Sequence, residues 1–518
     1  MKIGKVVFAL VASSLLSAVV VWAEDASEFV WQSDSAPRYP DLSVRPTSAL
    51  VGWARDDSPS KSAAVDGEQP DNQRHEPAPR AVQPRIVHPK ASDPNPLGTA
   101  NPFHEEPPAR RPGVADGAAL GPLCNSCGDG SCPGSCRASA DDPYEEESWR
   151  LFSGPRLDAA RARLRGWIDQ GVTWNPDRPG TGFNGPVTFN DRANEYQMNQ
   201  LYLIGERTTN TDGFGFDWGG RVDVLYGTDS RFLAANGLES SWNKSQRFYG
   251  AALPQFYADF ALDDLIVRIG HFYNIMDYES PMAPENFFYS HSYSFQYGEP
   301  LTFTGILGMF RLNDCWTFTG GVHRGWNQFE DNNDKAGLLF GVTWTSPDRD
   351  TLVNFAITLS NEQIDRPSHM TAYTVAVSHR FSERVRYVFE HNAGQETNAI
   401  PRGNGAFDDA QWYSIANYLF YDLNPCWSVG LRYEWFGDID GTRVIGLGAP
   451  KGFPWAGIPS HWDELALGVN YQRSSNVLLR SELRFDWADR IGPSQFKPFD
   501  TFNRDQQFLW ATDLVVKF

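Results

Sequence analysis

The sequence predicts an all-β transmembrane antiparallel β-barrel of about sixteen strands, preceded by a disordered, Pro-rich N-terminal segment. Three observations carry this prediction. From Arg165 onward, strand-like runs of about ten to fifteen residues alternate apolar and polar side chains. The polar rows hold several charges per run. The connections between runs are alternately short and long.

The rows are the strongest of the three. Val477, Leu479, Leu483, Phe485 and Trp487 form an oily row broken only by Ser481, and the opposite row carries Arg480, Glu482, Arg484 and Asp486. Trp427, Val429, Leu431, Tyr433 and Trp435 oppose Ser428, Gly430, Arg432 and Glu434, while Val385, Tyr387 and Phe389 oppose Arg384, Arg386 and Glu390. Successive side chains of a strand face opposite sides. Four charges on one inward face would be ruinous in a dry sandwich core. They suit a water-filled lumen with the oily row against lipid.

The elements follow in order. Met1 to Ala23 reads as a signal peptide: Lys2 and Lys5, an apolar core from Val6 to Val21, then Val21-Trp22-Ala23 as a small-residue cleavage site. The apolar run, about 16 residues with three serines, is short for a spanning helix. Residues 24–149 are rich in Pro, Ser, Asp, Glu and Arg and lack periodicity, so a disordered periplasmic segment is expected. It holds four of the six cysteines, Cys124, Cys127, Cys132 and Cys136. Behind a signal peptide these read as disulfide candidates, with a metal knot or free thiols as alternatives. Residues 150–518 form the barrel domain. Pro155 to Arg165 is expected to be a short basic helix before it.

Sixteen runs follow: 164–175, 193–207, 214–227, 250–261, 264–275, 300–312, 315–326, 336–346, 350–361, 370–382, 384–395, 410–423, 426–437, 462–472, 476–488 and 507–518. Short polar turns such as Asp263-Asp264, Asn313-Asp314 and Asn424-Pro425 alternate with long connections, among them 276–299, 396–409 and 438–461. Short turns on one side and long loops on the other is the asymmetry of outer-membrane barrels. An even strand count puts both barrel ends on the short-turn, periplasmic side. Leu312-Asn313-Asp314-Cys315-Trp316 and Leu423-Asn424-Pro425-Cys426-Trp427 echo one another, which reads as shared turn chemistry rather than a repeat. Six strands separate Cys315 from Cys426, so no bond between them is expected. The final run, QFLWATDLVVKF, ends its oily row on Phe518. That resembles the C-terminal signature read by the barrel-assembly machinery.

Totals agree with this. A mean hydropathy of -0.44 excludes a polytopic helical membrane protein. Aromatic content is 14%, with 18 Trp, which interfacial girdles would use. The net charge of -19 argues against nucleic acid as a partner.

GWIDQGVTWNPDRP with FNGPVTFNDRANEYQMNQLYL (Gly166 to Leu203), and APENFFYSHSYSFQYGEPLTFTGILG (Ala283 to Gly308), resemble the OmpL-like beta-barrel porin family in the form found in planctomycete-type bacteria. The resemblance covers about residues 150 to 518. It implies an outer-membrane barrel. In sixteen-stranded general porins the third outer loop folds into the lumen. By that resemblance Met276 to Glu299 is a constriction loop, with Asp277, Glu279, Glu285 and Glu299 facing wall arginines across wet space. The expected pore-lining residues are Arg221, Asp223, Arg268, Arg384, Arg386, Glu390, Arg432, Glu434, Glu464, Arg480, Glu482, Arg484 and Asp486. A bland alternative has these charges pairing as a structural ladder.

No catalytic constellation emerges: the histidines are scattered, and Ser290-His291-Ser292 has no nucleophile motif around it. Asp438, Asp440 and Gly441, or Asp331 and Asp334, offer oxygen ligands but not the spacing of a known calcium loop. No cofactor or metal is expected. The expected function is a porin for passive diffusion of small hydrophilic solutes or ions. The expected partners are outer-membrane lipid, the barrel-assembly machinery and those solutes, with a homo-oligomer left open. The rival is a structural or adhesion barrel, plugged and linked to the envelope through its N-terminal segment.

Overall fold

The computed structural model describes residues 151–518 except 212–213, 240–241, 243–247, 403–404, 445–458, 492–496 and 502. The signal peptide, the Pro-rich segment and its four cysteines lie outside the described residues. Seventeen antiparallel segments make one closed sheet. They are β1 (Ala162–Trp174), β2 (Tyr196–Arg207), β3 (Phe216–Gly227), β4 (Gly250–Ala252), β5 (Phe256–Leu262), β6 (Leu265–Tyr273), β7 (Thr302–Asn313), β8 (Trp316–His323) and β9 (Gly337–Thr345). The remainder are β10 (Thr351–Ser360), β11 (Met370–Arg380), β12 (Val385–Pro401), β13 (Phe407–Asn424), β14 (Trp427–Asp438), β15 (Ser460–Ser474), β16 (Val477–Arg490) and β17 (Gln506–Lys517). β4 and β5 both pair with β3 as one interrupted stave, so the barrel has sixteen staves. The interruption falls where Gln255 turns its carbonyl to Asp223 N (2.8 Å) and Glu239 accepts from Leu253 N (2.5 Å).

Closure joins β17 to β1, in register from Trp167↔Lys517 to Trp174↔Trp510. Beyond it, Gly166 and Phe518 exchange two backbone hydrogen bonds of 2.8 Å each. A Cβ on Gly166 would sit 2.9 Å from the Phe518 ring, so the bare glycine gives that ring room.

The alternating rows appear as read. Leu479, Leu483, Leu431, Tyr433 and Trp510 are exposed on the outer face, where they form an apolar belt, while Arg480, Arg484, Arg432 and Asp513 turn inward. The turn echo is real: Asn313 Oδ1 accepts from Cys315 N (2.9 Å) and Trp316 N (3.1 Å), and Asn424 Oδ1 accepts from Cys426 N and Trp427 N at the same distances. Cys315 and Cys426 are free thiols.

Two local expectations change. The helix, α1, spans only Pro155–Ala160. Arg161 takes a left-handed φ of 53°, and the basic residues after it enter β1. The expected long connection 396–409 shrinks to 402–406, because β12 and β13 extend well past the neighbouring strands.

Candidate functional site

The third long connection, residues 274–301 between β6 and β7, lies inside the barrel. Met276, Asp277, Ser292, Tyr293, Ser294 and Phe295 are fully buried. The loop contains only one 3-10 turn, Ala283–Glu285, and one π turn, Ser294–Gly298. Its backbone N–H and C=O groups must therefore find partners elsewhere.

The inward charges of the wall supply them. Glu482 accepts from Tyr289 N (3.0 Å) and Ser290 N (3.2 Å), and Glu434 accepts from Tyr293 N and Ser294 N, both at 2.5 Å. Arg480 Nη1 donates to the carbonyls of Ala283 (2.8 Å), Asn286 (2.9 Å) and Phe288 (3.1 Å). Arg484 Nη1 donates to His291 O at 2.6 Å, and Arg432 Nη1 donates to Ser290 O at 2.9 Å. Acids take the loop's amides and arginines take its carbonyls. Wall glycines make room for its rings: a Cβ on Gly430 would lie 2.4 Å from Phe287 Cε1, and one on Gly468 2.9 Å from Phe288 Cε1.

The arginines are also paired along the wall. Arg480 meets Asp513 at 2.6 Å, Arg484 meets Asp486 at 2.8 Å, and Arg221 meets Asp223 at 2.6 Å. Arg268 meets Asp259 at 2.9 Å across the β5–β6 hairpin and stacks over Tyr257 at 3.6 Å. Arg432 bridges Glu464 (2.8 Å) and loop residue Glu279 (2.6 Å). His291 Nδ1 lies 2.9 Å from the other oxygen of Glu279. Burial alone would raise the Glu279 carboxyl, but Arg432 and then His291 draw it down to about 2.

The first long connection closes over the third. Thr188 donates through N (2.6 Å) and Oγ1 (2.5 Å) to Gln296 Oε1, and Tyr297 OH donates to Pro186 O. Phe189, held at φ 61°, packs its ring 4.4 Å from His291 and 5.7 Å from Phe295. Gln200 on β2 accepts from Ala283 N (3.2 Å) and donates to Pro281 O (2.8 Å). Gly166–Leu203 and Ala283–Gly308 are thus two halves of one packed unit.

The family model for "Putative beta-barrel porin-2, OmpL-like" matches residues 161–518. The chain belongs to this porin family. Among solved structures, OprB of Pseudomonas putida matches at 12% identity and TM-score 0.48, covering 70% of this chain and 96% of that one. The outer membrane channel DcaP of Acinetobacter baumannii matches at 10% identity and TM-score 0.47, covering 69% and 97%. The anion-selective porin from Comamonas acidovorans matches at 12% identity and TM-score 0.45, covering 69% and 99%. No curated protein matches the chain.

Within this porin barrel the expected site residues divide. Arg221, Asp223, Arg268, Glu390, Arg432, Glu434, Glu464, Arg480, Glu482, Arg484 and Asp486 all turn inward, but they are buried rather than bathed in water, because the third loop covers much of the wall. In place of the wet field expected across them, the five arginines each pair with a buried acid, while Glu434 and Glu482 accept from loop N–H groups. Arg386 stays exposed, over the Phe420 ring at 4.6 Å. Arg384 is corrected: it lies in the β11–β12 turn, before β12 begins at Val385, and is exposed there.

The loop acids divide too. Glu279 faces an arginine as expected. Asp277 and Glu299 instead approach another acid, Glu390, a grouping the sequence did not suggest. Glu285 is half-buried, and burial pushes its carboxyl up to about 7 against the pull of Ser280 and Arg221. Asp438 and Asp331, weighed as calcium ligands, cap turns. Asp438 accepts from Thr442, Arg443 and Val444 N (2.8, 3.0 and 2.8 Å), and Asp331 accepts from Asn333 and Asp334 N (3.0 and 2.9 Å). Asp259 and Asp513 were missing from the expected set. The two-residue turn Asp263-Asp264 fixes Asp259 opposite Arg268, so hairpin register could have found it.

Proposed function

We propose that this porin-family barrel is an outer-membrane channel for passive diffusion of small hydrophilic solutes or ions, with a passage running beside the third loop. The observation that carries the reading is a long loop seated inside a closed barrel whose outer face is an apolar belt. The inward row of β8, Thr317, Thr319 and Gly321, is only half-buried, which marks wall that the loop leaves accessible. Among the loop acids, Glu285 is the least buried, although its Oε2 is enclosed. It is half-buried and lies in the field of Arg221 and Arg165. A narrow, charged, hydrated passage slows apolar solutes and passes small polar ones. The short-turn end, with Phe518, is assigned to the periplasm, and Phe518 to recognition by the assembly machinery.

The second reading, a plugged structural barrel, is favoured by one specific observation. The wall fastens the third loop through backbone bonds from Ala283 to Ser294, as a permanent plug would be fastened. Swelling of liposomes containing the purified protein separates the two. The channel reading expects swelling rates that fall with sugar size from arabinose to raffinose. Rates equal to protein-free liposomes for every sugar would leave the plugged barrel.

A further inference from the structure

We propose that Asp277, Glu299 and Glu390 form a binding site for a calcium-type divalent cation that clasps both ends of the third loop to β12. One carboxylate oxygen from each residue lies within 4.8 Å of the others, and all three residues are buried. An ion with Ca–O bonds of about 2.3–2.6 Å can bridge oxygens up to roughly 5 Å apart, so a single ion can reach all three.

The cluster differs from the buried acids that an arginine matches, and from Glu434 and Glu482, which accept from loop N–H groups. Asp223, Asp259, Glu464, Asp486 and Asp513 each sit against an arginine. Among the described residues, neither Glu299 nor Glu390 has a lysine, arginine or histidine within ion-pair distance. A second observation points to a ligand. Glu299 is 3% exposed, its carboxylate belongs to the cluster, and its Oε1 has no hydrogen-bond partner. A buried carboxylate oxygen without a donor is costly unless a proton or a cation meets it.

The donor set is hard. Thr374 Oγ1 lies 3.0 Å from Glu299 Oε2, and Ser294 Oγ lies 3.2 Å from Glu390 Oε1. No sulfur or imidazole belongs to the cluster, and His391 on β12 is engaged with Ser414 O at 2.7 Å and Tyr373 OH at 3.1 Å. All-oxygen sites of adaptable geometry suit calcium better than zinc, and better than magnesium, which keeps its waters. Glu279, the other acid beside the cluster, is already matched by Arg432.

The test uses the full chain folded in detergent, stripped with a chelator and dialysed. Calorimetric titration with calcium chloride should show one saturable site and a rise in Tm. Magnesium should bind more weakly. Glu299→Gln and Glu390→Gln should each abolish the site while the protein keeps its heat-modifiable migration. Asp331→Asn, at a turn-capping acid, should bind as the parent does. A parent protein whose Tm and heats ignore calcium would overturn the proposal, even if neither Gln variant folds. So would folded Gln variants that bind calcium as the parent does.

Discussion

Arg432 Nη1 lies 2.6 Å from Glu279 on the third loop while its Nε lies 2.8 Å from Glu464 on β15. One buried guanidinium thus joins the third loop to the barrel wall. Arg432→Met would leave two buried carboxylates facing an apolar side chain. Removing one partner of a buried pair costs about 3–5 kcal/mol. Urea titration of the folded barrel, followed by tryptophan fluorescence, should show that loss. Glu279→Gln should cost less, about 1–3 kcal/mol, because Glu464 still neutralises Arg432.

The second prediction concerns barrel closure. Phe518 supplies both backbone hydrogen bonds to Gly166 and packs its ring 6.4 Å from Phe152. Deleting Phe518 should lower the yield of folded, heat-modifiable barrel severalfold. Removing residues 24–144 should lower it much less. Equal yields from the two variants would separate Phe518 from assembly.

The sheet was legible because its outer rows must be oily wherever they meet lipid, which leaves an alternation that survives in one sequence. The turns were legible because Asn313 and Asn424 each cap their own hairpin. The interior was harder. Alternation alone makes Arg480, Glu482, Arg484 and Asp486 water-facing, since nothing in their strand reveals that a distant loop will cover them. The same holds for Glu390. Its strand places it inward, but only the fold brings Asp277 and Glu299 to it. The two stretches that carried the family resemblance turned out to be mutual packing partners, through Thr188 and Gln296. That contact is long-range, and periodicity does not report it.

Loop seating should depend on pH in the presence of chelator. Glu285 and Glu299 hold their protons up to about 7 and about 8 when the loop is seated. Released into water they would titrate near about 4.3. The seated state therefore binds more protons between those values. The contribution of these two acids is fully present below about 4.3 and is lost as pH rises through 7 and 8. Bilayer conductance in EDTA should thus rise from pH 6 to pH 9, and Glu299→Gln should flatten the rise. A conductance that falls over that range would contradict the sign.

The central claim is that solutes pass beside a loop wedged inside the barrel, and single-channel conductance tests it most directly. The parent protein should form small, discrete channels in a planar bilayer. Gly430→Leu places a side chain where Phe287 sits, since even a Cβ there would approach that ring to 2.4 Å. The wall strand itself keeps its hydrogen bonds. The account predicts that this variant folds normally and conducts about two- to threefold more than the parent, because the loop is pushed off the wall. A parent without channels, together with a folded Gly430→Leu variant that also lacks them, would contradict the account and leave a plugged barrel.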